Sequence, residues 1–196
     1  MAGRVLEGRA AGLFADRLGG FAAGGDLGHA GLEFRPLRLA GEALVEPGGD
    51  GQTEHAVAQE FQPLKEGEES FVAVANHFKS KGSVAKGDAD SGDGQGNNPN
   101  VRNAQAQAVL DALHKQEDWK DKPLFALGDF NTYTHETALD VFRNDGFTVP
   151  AEKYGADTSY QFSGLLGTLD HVLANKVATG TLDDAQVCGE NLIWGE

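Results

Sequence analysis

The pattern of apolar and polar positions sharpens after about residue 55. Residues 57–61 read as a short strand, and residues 71–78 as a second, dense in apolar and β-branched positions and bounded by Glu and Lys runs. Residues 79–98 then form a long polar loop, rich in glycine and carrying Asp88, Asp90 and Asp93. Asn98 is placed to cap a helix with Pro99 at its first position. Ala106, Val109, Leu110 and Leu113 give that helix an apolar stripe at helical spacing. Pro123 ends the region and opens a buried run, Leu124-Phe125-Ala126-Leu127. Thr134 is expected to cap a second helix, with Glu136 in its first turn, Ala138, Leu139 and Phe142 facing inward, and Gly146 as its stop. Two further strands are expected at residues 159–162 and 168–174, separated by a turn containing glycine. Helices and strands in alternation make this an α/β chain.

Composition divides the chain. Residues 1–50 hold 12 Gly, 9 Ala, 8 Leu and 5 Arg, with no Lys, Ser, Thr, Asn, Ile or Tyr. Beyond them the basic residues are nine Lys, with Arg102 and Arg143 alone of their type. Residues 1–54 are therefore set apart as a low-complexity leader outside the fold and given no function, and residues 55–196 as the folded part.

Charge narrows the function classes. The chain has 196 residues and a formal net charge of -14, which argues against binding nucleic acid by broad phosphate neutralisation or docking on an anionic membrane. Hydrophobic residues make up 40%, enough to exclude wholesale disorder. Cys188 is the single cysteine, so no internal disulfide can form. No apolar run approaches the ~20 residues that a membrane helix needs, and the start has no signal-peptide core.

Three segments carry chemistry. In Gly128-Asp129-Phe130-Asn131, at the end of a buried strand, a carboxylate and an amide two residues apart point into the same space if the backbone stays extended. Asp129 suits a hard divalent cation, and Asn131 can hold a phosphate oxygen or a water. A turn capped by Asp and Asn is the plainer reading of such a tetrapeptide. In Asn76-His77-Phe78-Lys79, His77 sits where strand becomes loop and can exchange a proton near neutral pH. In Leu169-Asp170-His171, Asp170 lies among apolar residues and needs a partner, for which orienting a histidine is one role. His171 points to the opposite face of an extended strand, so the two do not form a mutual pair.

Taken together, these segments resemble the endonuclease/exonuclease/phosphatase superfamily, the DNase-I-like fold, and in wording the bacterial extracellular nucleases within it. The resemblance rests on NHFKSKGS at 76–83, GDADSGDGQG at 87–96, Arg102 and Gln105, ALGDFNTY at 126–133 and SYQFSGLLGTLDHVLAN at 159–175. It covers roughly residues 55–183. It implies a four-layer α/β sandwich, here truncated at both ends, and phosphodiester hydrolysis of DNA or RNA assisted by Mg²⁺ or Mn²⁺. His77 matches the histidine that contacts the scissile phosphate, and Asp129 and Asn131 the pair at the metal and phosphate. Asp170 matches the aspartate that orients a second histidine. Relatives of this type are exported, which implies an extracellular location.

The chain departs from the family pattern in two places. Residues 1–54 show nothing like the strands that carry the family's earlier metal-binding Asn and Glu, and no Ser-Asp-His segment occurs. The expectation is an incomplete domain, catalytically dead or very weak and poorly soluble alone. Two rival readings stand beside it. Asp88, Asp90 and Asp93 could wrap a Ca²⁺ in a non-catalytic binding module. The same His, Asp and Asn would also serve a phosphatase acting on lipid or inositol phosphates.

Overall fold

The computed structural model describes residues 32–35, 56–63, 67, 69–154, 158–162 and 165–182, those at 32–35 and 160–165 by their backbone alone. A five-stranded mixed sheet runs β1 (Leu32–Arg35), β2 (Val57–Pro63), β3 (Phe71–His77), β4 (Leu124–Asp129), β7 (Asp170–Ala174), in that spatial order. β3 and β4 are parallel, and the other neighbours are antiparallel. A separate two-stranded ribbon joins β5 (Tyr160–Phe162) to β6 (Leu165–Gly167).

The parallel pair needs a crossover, and α1 (Pro99–His114) supplies it. Val72 and Val74 of β3, Leu124 and Ala126 of β4, Leu173 of β7 and Ala58 of β2 share one face of the sheet. That face buries against Ala106, Val109, Leu110 and Leu113 of α1 and against Leu139 and Phe142 of α2 (Thr137–Asn144). Each fully buried Leu, Val or Phe there is worth about 1.5–3 kcal/mol of transfer free energy. The other face carries an aromatic row: Phe61 stacks on Phe71 at 5.0 Å, and Phe71 meets Phe125 edge-on at 6.2 Å. Two short helices, α3 (Pro150–Tyr154) and α4 (Lys176–Thr179), complete the described elements.

Four expectations change. β1 pairs with β2 within the segment set apart as a leader, so the sheet takes in Leu32–Arg35; the alternation Leu-Glu-Phe-Arg is a strand pattern that the glycine-rich composition around it masks. The second C-terminal strand begins at Asp170, because Leu165–Gly167 turns back on β5 instead. The second helix begins at Thr137, with Glu136 at its cap position and without side-chain capping, because a turn closed by Glu136 N–H on Tyr133 O occupies the residues around Thr134.

The fourth concerns Asn98. It precedes α1 but does not cap it: its φ is 65°, and its side chain is taken by the loop, donating to Ser80 O and Ser83 O and accepting from Ala85 N. Asp88 does the capping, accepting from Val101 N at 2.9 Å, Asn100 N at 3.3 Å and Asn100 Nδ2 at 2.7 Å.

Candidate active site

The ends of β3, β4 and β7 set three chemistry-bearing residues side by side. His77 is the register partner of Asp129 on the parallel pair, and Asp129 is the partner of Asp170 on the antiparallel one. Register partners project from the same face, so the three side chains form one row across three neighbouring strands. His77 Nε2 lies 3.9 Å from Asp129 Oδ2; the side chains are 69% and 38% exposed, so solvent and a ligand can reach both.

Local structure explains why this row follows a glycine. Gly128 has φ 129°, and a Cβ there would stand 2.1 Å from Asn76 O. Only glycine lets β4 approach β3 this closely in that conformation. After Asp129 the chain turns through Asn131, at φ 47°. Asn131 N–H donates to Asp129 Oδ1 at 2.8 Å, and Asn131 Nδ2 donates to Phe78 O at 2.9 Å. Both readings of the tetrapeptide hold together: Oδ1 closes an Asx turn while Oδ2 faces His77. Asn131 straps the loop after β4 to the end of β3 and so fixes the row's geometry.

The adjoining row is structural. His171 lies on the other face, 4% exposed, with Nε2 2.7 Å from Thr132 O and its ring 5.9 Å from that of Phe130. Burial holds its pKa below the usual histidine range, against the pull of Thr132 O and Asp170.

The lysines of the NHFKSKGS segment are turned inward, not out to phosphate. Lys79 is 1% exposed and donates to Ser83 Oγ at 2.9 Å. Lys81 pairs with Glu136 and lies 4.4 Å from the centre of the Tyr133 ring. Burial pulls its pKa down, opposed by Glu136. Arg102, also buried, donates to Asn97 O and Gln95 O and lies 3.6 Å from Glu136. Gln95 in turn accepts from Thr137 N and Oγ1. The glycine loop is thus pinned to α1 and α2 by buried charge and amide groups. The burial of these polar groups leaves no periodic trace in a sequence, which is why pattern reading missed them.

The acidic loop is not arranged around an ion. Asp88 is spent on the α1 cap, Asp90 Oδ1 accepts from Gly92 N, and Asp93 Oδ1 from Gln95 N. Among the described residues no group of three or more His, Cys, Asp or Glu side chains could hold a metal. Asp129 is the carboxylate that the resemblance assigns to the metal.

The sequence profile of the Endonuclease/Exonuclease/phosphatase family matches residues 23–187, most of the chain. The chain belongs to that family. The family comprises metal-dependent phosphoesterases and nucleases and generally uses a divalent metal. Its DNase-I-like α/β fold accounts for the mixed sheet with helices, of which the described residues are part.

Solved structures to which the chain is similar include the human Nocturnin catalytic domain with bound sulfate, 21% identical over 64% of this chain and 42% of that one, with a TM-score of 0.45. A mannosyl-6-phosphatase from Bacteroides thetaiotaomicron is 16% identical over 77% of this chain and 53% of its own, with a TM-score of 0.48. A variant of beta toxin from Staphylococcus aureus with bound magnesium ions is 15% identical over 64% and 43%, with a TM-score of 0.44. The chain therefore spans about half the length of these structures. No curated protein matches it. No helix among the described residues is long and apolar enough to cross a membrane.

Proposed function

We propose that the chain contributes part of a phosphodiester hydrolase site acting on DNA or RNA, in the manner of the extracellular bacterial nucleases that its NHFKSKGS wording resembles, and that it works outside the cell. The observation that carries this reading is the row of His77, Asp129 and Asp170 in register on three strands, with Asn131 strapped beside it. Asp129 Oδ2 stands 3.9 Å from His77 Nε2, so the two side chains can meet one bound phosphate together. His77 there can contact a non-bridging phosphate oxygen or exchange a proton with a departing oxygen. Asp170 brings a second negative group to the same end of the sheet, suited to orienting a cationic or proton-donating partner.

The reading takes Mg²⁺ or Mn²⁺ as the family's ion. Asp129 is the one member of the expected ligand set among the described residues, so hydrolysis by the chain alone is proposed to be absent or very weak. Binding tests the substrate class separately from turnover. NMR titration with a short single-stranded oligonucleotide in Mg²⁺ should shift the signals of His77, Asp129, Asn131 and Asp170 together. Shifts by inositol phosphate and not by the oligonucleotide would favour the phosphatase reading, and shifts confined to other residues would overturn the site.

A further inference from the structure

Asp170 opens β7, which ends the described sheet. Phe130 N–H donates to Leu169 O at 2.9 Å, so 130/169 is a hydrogen-bonded position and, by alternation, 129/170 is not. The Asp170 N–H therefore turns away from β4. It meets the Oγ of Ser159 at 3.2 Å, and the same oxygen accepts Leu169 N–H at 3.2 Å. Ten and eleven residues of chain separate the partners, with the β5–β6 ribbon between them, so the contact closes the base of that hairpin onto the start of β7. A hydroxyl from outside β7 thus stands in for a neighbouring strand at the point where Asp170 is carried.

A second restraint acts just upstream. A Cβ at Gly167 would lie 2.4 Å from Tyr133 Cε1, so the segment leading into Leu169 lies flush against the Tyr133 ring. Tyr133 is itself held by the Lys81 ammonium. Ser159 and Tyr133 together fix the entry to β7 at two points.

We infer that Ser159 is a positioning residue for Asp170: by accepting the N–H groups of Leu169 and Asp170 it sets where the Asp170 carboxylate stands relative to Asp129. The inference rests on the reading of Asp170 as a site residue. Ser159 opens the 159–175 stretch on which the resemblance rests, and it touches the row only through backbone.

The test is NMR on the full 196-residue chain. The Leu169 and Asp170 amides should exchange about tenfold or more slowly than the amide of Ser91 in the exposed loop. In Ser159→Ala, both amides should lose that protection and the Asp170 side-chain carboxyl resonance should move, while that of Asp88 stays. Ser159→Thr keeps the hydroxyl and should restore both. Fast exchange in the unsubstituted chain overturns the inference, and so does an Asp170 carboxyl resonance indifferent to Ser159→Ala. If Ser159→Ala fails to fold, the unsubstituted chain and Ser159→Thr decide it: slow exchange in both supports the inference, and fast exchange in either overturns it. None of these readouts needs a nucleic acid, so a failed oligonucleotide titration would count against the functional reading alone.

Discussion

Asp129 and Asp170 face each other across β4 and β7 as a non-hydrogen-bonded pair, the arrangement that brings opposed side chains closest. Two like charges placed this way destabilise a sheet, and sites keep such pairs to receive positive charge. Asp129→Asn preserves the acceptor for Asn131 N–H and removes one of the facing charges. It should stabilise the chain by about 0.5 kcal/mol at neutral pH. Urea unfolding checks the sign; clear destabilisation would mean that the two carboxylates do not oppose one another.

Gly128 is the backbone condition for the row. A methyl group there meets Asn76 O at 2.1 Å in a backbone conformation that side chains avoid. Gly128→Ala should cost about 3 kcal/mol or more, because strain and steric overlap add. Thermal unfolding measures it, and a cost within the range of an ordinary surface change would contradict the described approach of β3 and β4.

Asp88 caps α1, so it should matter for stability and not for calcium. Asp88→Ala should lower stability by about 1–2 kcal/mol. Millimolar Ca²⁺ should leave the thermal midpoint of the unsubstituted chain unmoved. A calcium-dependent rise that Asp88→Ala removes would restore the calcium-loop reading.

Acid sensitivity should come in part from Glu60. Burial works to raise its pKa, but hydrogen bonds from Lys122, Gln62 and Ser70 outweigh burial and lower it to about 2, from an ordinary 4.5. A carboxyl depressed in the folded state adds stability above its unfolded pKa and loses it as pH falls toward the folded value. Discounted for solvent screening, Glu60 should therefore contribute on the order of 2 kcal/mol well above pH 4.5, fading as pH falls toward 2. Glu60→Gln, compared with the unsubstituted chain at pH 6 and pH 3, should be clearly less stable at pH 6, with less than half of that deficit left at pH 3. An unchanged difference at both pH values would show that Glu60 is not held in this way.

Much of the fold is legible in the sequence wherever burial is periodic. The stripe Ala106, Val109, Leu110, Leu113 and the runs of β3 and β4 declare themselves because one face of each is apolar. The row of candidate site residues is legible as three segments, since an Asp or His at the end of an apolar run is conspicuous. Its geometry is not legible, because register between distant strands decides which residues become neighbours. Composition obscures β1, four alternating residues inside a glycine-rich stretch. Capping by Asp88 escapes the pattern because Asp88 reaches α1 from eleven residues before Pro99, and Asn98 occupies the expected place in sequence but not in function. Buried Lys79 and Arg102 escape it because long charged side chains are ordinarily exposed.

Plasmid nicking by the purified 196-residue chain in Mg²⁺ or Mn²⁺ tests the central proposal most directly, that this chain holds part of a phosphodiesterase site and does not complete it alone. Nicking should be absent or at background, with no difference between the unsubstituted chain and Asp129→Ala. Metal-dependent turnover that Asp129→Ala abolishes would contradict it and show that the chain completes the site by itself.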